Sequence, residues 1–183
     1  NGGYLAGEAL KGYLTDMVIA QAYAKYNRKL ILDKAAAIMH KINGAKVDGI
    51  IGTTHNYLDF QDLVIRKGAI RSYAGELVVI PFNMRDGIAI AEGLSNEDWN
   101  FSAPHGSGRV MSRTAAKRNL SMKEFRKEMQ GVYSTCITPD TLDESPSVYK
   151  PTQEIIDAIT PTCRILYILK SKINLKAANN GTL

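Results

Sequence analysis

The chain has 183 residues, 45% apolar and 22% charged, enough to bury a core of ordinary size and too apolar for a disordered segment, so it reads as a single domain or the C-terminal piece of a larger one. Lys and Arg number 23 against 18 Asp and Glu, a formal charge of +5 with an isoelectric point near 9.1, which favours an anionic partner. No run of about 18 apolar residues occurs and the start lacks the basic-then-apolar order of a signal peptide, so a soluble protein with no membrane partner is expected.

The opening Asn1-Gly2-Gly3 runs almost directly into a helix without a Met and reads as the start of a fragment. From Glu8 to about Asn43, Leu10, Leu14, Met17, Val18, Tyr23, Leu30, Leu32 and Ile38 recur at helical spacing, which predicts one long helix or two in series, ended by Gly44. Val- and Ile-rich runs follow at Val47 to Ile51, Leu63 to Ile65, Glu76 to Ile80 and Gly87 to Ala91; they read as strands of a mixed sheet. Between Gly93 and Met111 lies a loop too long to be a mere connector. Ser112 and Ser121 can each cap a short helix, the second running through Met129. Thr138 to Lys150 is irregular, Pro151 or Thr152 starts a helix to Ile159, and Cys163 to Leu169 forms a last strand before a polar tail. Helices and strands in this irregular order give an α+β class. Cys136 and Cys163 match neither a disulfide framework nor a paired-thiolate zinc spacing, so buried thiols in a reducing cytoplasm are expected.

The stretch Ala103-Pro104-His105-Gly106-Ser107-Gly108-Arg109-Val110-Met111-Ser112-Arg113 is the most informative one. Glycines let backbone N–H groups approach phosphoryl oxygens, and a following helix start adds donors and positive potential. Arg109 and Arg113, four apart, can share a face and bind oxyanions in bidentate fashion. A neutral imidazole at His105 is a competent nucleophile toward phosphorus once cations neutralise the phosphate. A metal ligand, a general base or a plain surface histidine fits the same spacing.

His55, in Thr53-Thr54-His55-Asn56-Tyr57, can be a metal ligand, but a catalytic site needs three or more protein ligands. Composition alone puts a structural role first. His40, on the long helix, is read as solvated or helix-capping. Arg28-Lys29, Arg66-Lys67, Arg71 and Lys117-Arg118 can track a nucleic-acid backbone, and Tyr73, Trp99, Tyr133 and Tyr149 can stack on bases or fill a core.

The histidine loop resembles the H-G-A-G-R-x-x-S-R signature of RtcB-type RNA-splicing ligases. Other landmarks fall in that family's order: Tyr13-Leu14, Asp16-Met17, Asn27-Arg28, His55-Asn56, Arg66-Lys67-Gly68-Ala69, Gly75-Glu76, Pro81, Met84, Asp143-Glu144, Pro146, Tyr149-Lys150 and Leu175-Lys176. The resemblance implies part of an RtcB-like fold, and an enzyme that uses GTP and manganese to join an RNA 3′-phosphate or 2′,3′-cyclic phosphate to a 5′-hydroxyl. On it His105 becomes the guanylated residue, Arg109 a phosphate-holding catalytic residue and His55 one ligand of the manganese pair. Asn83, Gly106, Ser107, Gly108, Tyr149 and Lys176 become nucleotide contacts. With an RNA substrate, the basic residues Arg28, Arg66, Lys67 and Arg113 are expected as RNA contacts.

Some positions depart from the pattern. The family's further metal ligands, a Cys, an Asp and two His, lie ahead of Asn1, so the partner implied is the remaining N-terminal half of the same protein. The usual Pro-Gly-Ser-Met is Pro81-Phe82-Asn83-Met84 here, with Asn83 as a substitute for a hydroxyl. Ile65 stands where a histidine is common, and Ser107 stands for alanine. Two other readings accompany the ligase: an RNA-binding module without turnover, and a metal-dependent phosphotransferase or hydrolase on the same scaffold.

Overall fold

The computed structural model describes residues 3–176, so the first two residues and the polar tail from 177 onward lie outside the description. Two compact units emerge, one from Asn1–Ile50 with Asn56–Arg66 and one from Ile51–His55 with Lys67–Leu183. Helices and small sheets alternate irregularly, an α+β architecture as expected. Among the described residues no helix is long and apolar enough to cross a membrane.

In the first unit, α1 (Gly7–Asn43) is one helix of 37 residues, not two. Its composition explains the length: Ala, Leu and Lys are strong helix formers, and the pair Lys29–Asp33, four apart at 2.6 Å, lies along its surface. Gly44 ends it at φ 72°, a left-handed conformation in which its N–H donates to the His40 carbonyl at 2.8 Å. No residue of α1 is buried. His40 is exposed and its Nδ1 bonds the Ala45 carbonyl at 3.0 Å, so it does serve the helix end. Strands β1 (Asn56–Asp59) and β2 (Val64–Lys67) pair, and the Leu58 N–H donates to Gln21 Oε1 of α1 at 2.7 Å.

The expected strand at Val47 to Ile51 does not form: 44–54 carries no regular structure. Gly49 interrupts the run, Gly44 and Gly52 lie on either side of it, and among the described residues no strand pairs with it.

The second unit is built around β4 (Leu77–Asn83), β5 (Gly87–Gly93) and β7 (Cys163–Leu169), antiparallel in the order β4-β5-β7. In β4, alternation sends Val78, Ile80 and Phe82 inward. Pro81, which has no N–H to give, sits on this edge strand. Their core includes Ile70, Ala89, Ala91, Ala103 and Cys163, and is closed by Ile155 and Ile159 at α4 (Thr152–Ala158). A second cluster gathers Met84, Phe125, Met129 and Leu142 beneath α3 (Met122–Glu128). Both predicted caps form: Ser112 Oγ accepts from Ala115 N at 3.2 Å to start α2 (Arg113–Asn119), and Ser121 with Glu124 closes a capping box. Cys136 and Cys163 are buried free thiols.

The long loop is more ordered than its composition suggests. It holds a 3-10 turn at Glu97–Trp99 and a three-residue strand, β6 (Ser102–Pro104), antiparallel to β3 (Ala69–Arg71). Three-residue strands containing Pro and Ser have no readable period, so sequence reading passes them over.

Gly87 follows the turn between β4 and β5 at φ 85°, and a Cβ there would stand 1.9 Å from the Leu169 carbonyl oxygen. Gly87→Ala is expected to cost about 2–5 kcal/mol from backbone strain and overpacking together, read as a lower denaturation midpoint in urea.

Candidate active site

Three strand pairings fix the place of His105: Ala69 faces Pro104, Ile70 faces Ala103 and Arg71 faces Ser102. The ladder therefore brings the residue after β6, His105, against the residue before β3, Gly68. His105 Nδ1 lies 2.6 Å from the Gly68 carbonyl oxygen. A carbonyl only accepts, so Nδ1 carries the proton and, in the neutral ring, the lone pair is left on Nε2. Gly68 adopts φ 72° to present that carbonyl, while its own N–H donates to the His55 carbonyl at 2.8 Å. The rings of His55 and His105 stack 4.8 Å apart and 9° from parallel.

The glycine loop packs back on β4. Ser107 N–H donates to the Pro81 carbonyl at 3.2 Å, and a Cβ on Gly106 would come within 3.0 Å of the same oxygen, which is why glycine stands there. The Ser107 amide is thus turned to the strand instead of toward a ligand. Beyond the loop, Val110 N–H bonds the Val148 carbonyl at 2.8 Å and Arg109 bridges Tyr149. A cavity of about 720 Å³ opens between these pieces. Asn83, His105, Gly106, Ser107, Gly108, Arg109, Arg113, Tyr149 and Lys176 all line it, nine of the residues singled out from sequence.

Glu144 joins the cations of the cavity. Its Oε1 accepts from Arg109 at 2.6 Å and lies 3.3 Å from Arg113, while Oε2 accepts from Lys176 and from the Tyr149 hydroxyl, each at 2.7 Å. Arg109 also donates to the Asp143 carbonyl at 2.7 Å and lies 5.1 Å from the Tyr149 ring centre. Asp143 pairs with Arg113 at 2.9 Å and Lys117 at 3.8 Å. Burial alone would raise the Glu144 pKa, but hydrogen bonds from Lys176 and Tyr149 and the Arg109 charge hold it below its ordinary value. Burial and the Glu144 carboxylate push the Tyr149 hydroxyl up to about 12, so it stays a donor.

Not every expected residue joins this group. Asn83 lines the cavity, yet its Nδ2 donates to Asp86 at 2.8 Å and its Oδ1 accepts from the Arg85 and Asp86 N–H groups, so its amide closes a turn. Arg66 belongs to the first unit, where its guanidinium, 1% exposed, is locked between Asp59 at 3.1 Å and Asp62 at 2.9 Å. That burial runs against its reading as an RNA contact. Arg28 belongs to the same unit on α1 and is exposed, as is Lys67 on β2. Tyr73 stacks on Phe101 at 5.0 Å, and Trp99 and Tyr133 are exposed. Asp143 and Glu144 received no role from sequence. The available signal was an acidic pair between two prolines in an irregular segment.

The site thus sets a histidine held in one tautomer beside a cavity lined by Arg109, Arg113 and Lys176. The family model described as tRNA-splicing ligase RtcB matches residues 5–177, and the chain belongs to that family. It is 29% identical over 182 residues to the RNA-splicing ligase RtcB of Escherichia coli (strain K12), covering 92% of this chain and 44% of that protein. It is 27% identical over 180 residues to the tRNA-splicing ligase RtcB of Archaeoglobus fulgidus, covering 80% and 37%, and 26% identical over 174 residues to the Mycobacterium tuberculosis RNA-splicing ligase RtcB, covering 81% and 40%. The chain spans less than half the length of these curated relatives.

Because the Glu144 pKa is depressed in the folded protein, its contribution to stability is fully present above its ordinary 4.5 and is lost as the pH falls through the lower folded value. Thermal melts between pH 7 and 3 are expected to fall on the acid side of that value, with a shallower fall in Glu144→Gln. At pH 7 the substitution is expected to cost about 1–2 kcal/mol, less than for a fully buried pair, because the Arg109 and Lys176 side chains keep 22% and 35% of their surface exposed.

Proposed function

We propose that this chain forms the nucleotide-accepting part of an RNA ligase that uses GTP, with His105 as the residue that becomes guanylated. The hydrogen bond from His105 Nδ1 to Gly68 supports this reading most, because it leaves Nε2 as the nucleophilic atom on a ring placed at the cavity wall. Relatives named RNA-splicing and tRNA-splicing ligases support an RNA substrate.

In the first step the Nε2 lone pair attacks the α-phosphorus of GTP. A nitrogen–phosphorus bond forms, the bond from the α-phosphorus to the bridging oxygen breaks, and pyrophosphate leaves with that electron pair. The ring gains positive charge, which the Gly68 carbonyl at Nδ1 stabilises. Among the described residues, Arg109, Arg113, Lys117 and Lys176 face two carboxylates, Asp143 and Glu144. The excess positive charge suits a phosphate chain, and the carboxylates hold the cations in place. In the second step an RNA 3′-phosphate oxygen attacks the same phosphorus and frees the histidine; in the third the 5′-hydroxyl displaces GMP. Arg113 and Lys67 would carry RNA phosphates, as would Arg28 on α1.

Manganese, which the resemblance implies, would find His55 beside His105. Among the described residues, however, no three His, Cys, Asp or Glu side chains cluster as a metal ion requires. The residues present do not make that centre alone, and no step above passes through a metal.

The full-length protein incubated with GTP labelled at the α-phosphate, with manganese added, is expected to carry label through a denaturing gel. His105→Ala should abolish it, and Arg109→Ala should slow labelling by roughly 100-fold or more. Equal labelling of His105→Ala would sink the proposal. Salt-sensitive RNA binding without label would favour a binding module instead.

A further inference from the structure

Charge in this chain is concentrated. Residues 112–129 hold six basic side chains, Arg113, Lys117, Arg118, Lys123, Arg126 and Lys127, against Glu124 and Glu128, so they carry four of the chain's five net positive charges. The stretch forms α2 and α3, separated only by Leu120 and Ser121, and both helices pack on the 3-10 segment Pro139–Glu144. All six basic side chains are exposed.

Helix geometry turns them outward. Ala116 of α2 and Phe125 of α3 are buried, so the core takes the faces that carry them. Lys123 and Lys127 stand two residues before and two after Phe125, about 200° around the helix axis, and four apart from each other, so they share the opposite face. Like charges at that spacing repel, and the two nearby acids are held by other partners. Glu124 accepts from the Ser121 N–H at 3.1 Å and its hydroxyl at 2.7 Å, and Glu128 from the Ser145 hydroxyl at 2.5 Å and the Ser147 N–H at 3.2 Å. Among the described residues Arg118, Lys123, Arg126 and Lys127 form no ion pair with a carboxylate.

Their order leads away from the reaction site. Arg113 lines the His105 cavity, and Lys117, one turn on, shares Asp143 with it, at 3.8 Å against 2.9 Å. Arg118 and the α3 cations continue the series along the chain without lining that cavity. An extended polyanion answers such a series, either a nucleic-acid backbone or a membrane of anionic head groups. Basic helices that lie on membranes pair their cations with apolar side chains that enter the acyl boundary. Between Val110 and Tyr133 no large apolar side chain is exposed among the described residues, which leaves the backbone of a nucleic acid.

We propose that α2 and α3 form a track for the phosphate backbone of single-stranded RNA, holding the strand beyond the end that reacts at His105. The track binds by charge and reads no sequence. It rests on the reading of the protein as an RNA ligase and adds where the body of the substrate lies.

The test compares the full-length protein with a variant carrying Arg118→Gln, Lys123→Gln, Arg126→Gln and Lys127→Gln, changes that keep strong helix formers at exposed positions. Fluorescence anisotropy measures binding of a labelled 3′-phosphorylated RNA of about 20 nucleotides, long enough to leave the cavity, and of a labelled dinucleotide. The dissociation constant for the long strand is expected to rise about 10–100-fold at about 0.1 M salt, and its log–log salt slope to flatten by about 3, at about 0.7 for each lost phosphate contact. Lys123→Gln with Lys127→Gln alone should flatten the slope about half as far. The charge-preserving set Arg118→Lys, Lys123→Arg, Arg126→Lys and Lys127→Arg should bind the long strand as the wild type does. Unchanged affinity in the four-Gln variant, or an equal loss for the dinucleotide, overturns the track. So does a variant that loses binding to phosphatidylserine vesicles while keeping that to RNA. A protein that binds RNA through these residues yet takes no label on His105 defeats the guanylation reading and keeps the track. One that takes the label while the four-Gln variant binds the long strand at full strength keeps the guanylation reading and defeats the track.

Discussion

One backbone carbonyl organises the site. Gly68 accepts from His105 Nδ1 at 2.6 Å and gives its own N–H to the His55 carbonyl at 2.8 Å, so a single glycine residue holds two histidines in relation to each other. That arrangement demands the left-handed φ of 72°, which a glycine adopts without strain, and a ladder between β3 and β6 in the correct register. A slip by one residue would turn the flanking side chains to the opposite face and take the imidazole away from the carbonyl. Tautomer, ring orientation and the stacked His55 ring all follow from this local geometry.

Electrostatics supply the complementary half of the design. Arg109, Arg113 and Lys176 crowd the same cavity, and without a counter-charge their mutual repulsion would splay them. Glu144 accepts from Arg109 and Lys176 and the Tyr149 hydroxyl on its two oxygens, and Asp143 gathers Arg113 and Lys117. Among the described residues that line the cavity, cations outnumber acids, and ion pairs hold each cation in a defined position. In the proposed reaction such preorganisation would let charge developing on the phosphate meet fixed dipoles and cations rather than mobile ones.

What could be read from sequence was mostly what is local. Helix α1, the serine caps of α2 and α3, and strands β4, β5 and β7 follow from periodicity and capping chemistry, which act over a few residues. The glycine loop with His105 and Arg109 was legible for the same reason. Strands β1, β3 and β6 were not, being three or four residues long and defined by distant partners. Val47 to Ile51 misled in the opposite sense, since strand-forming side chains make no strand without a neighbour. Asp143 and Glu144 matched the family's order, yet their work depends on bonds to residues 30 or more positions away. Arg66 reads from sequence as part of a basic cluster, and spacing alone does not show that Asp59 and Asp62, a few positions before it, close around its guanidinium.

Helix α1 has one more consequence. It contributes 37 helical residues against seven in each of α2, α3 and α4, and none of the 37 is buried. The far-ultraviolet signal of the chain is therefore dominated by a segment that makes no core, while tertiary order resides in the two apolar clusters of the second unit. Loss of helical dichroism and loss of packing become separate observables: the first follows a gradual helix–coil equilibrium, the second a cooperative melt. Side chains such as Tyr23, Leu30, Ile31 and Ile42 also keep more than half of their surface in water, which gives the solubility of the isolated chain a dependence on concentration that its core stability does not share.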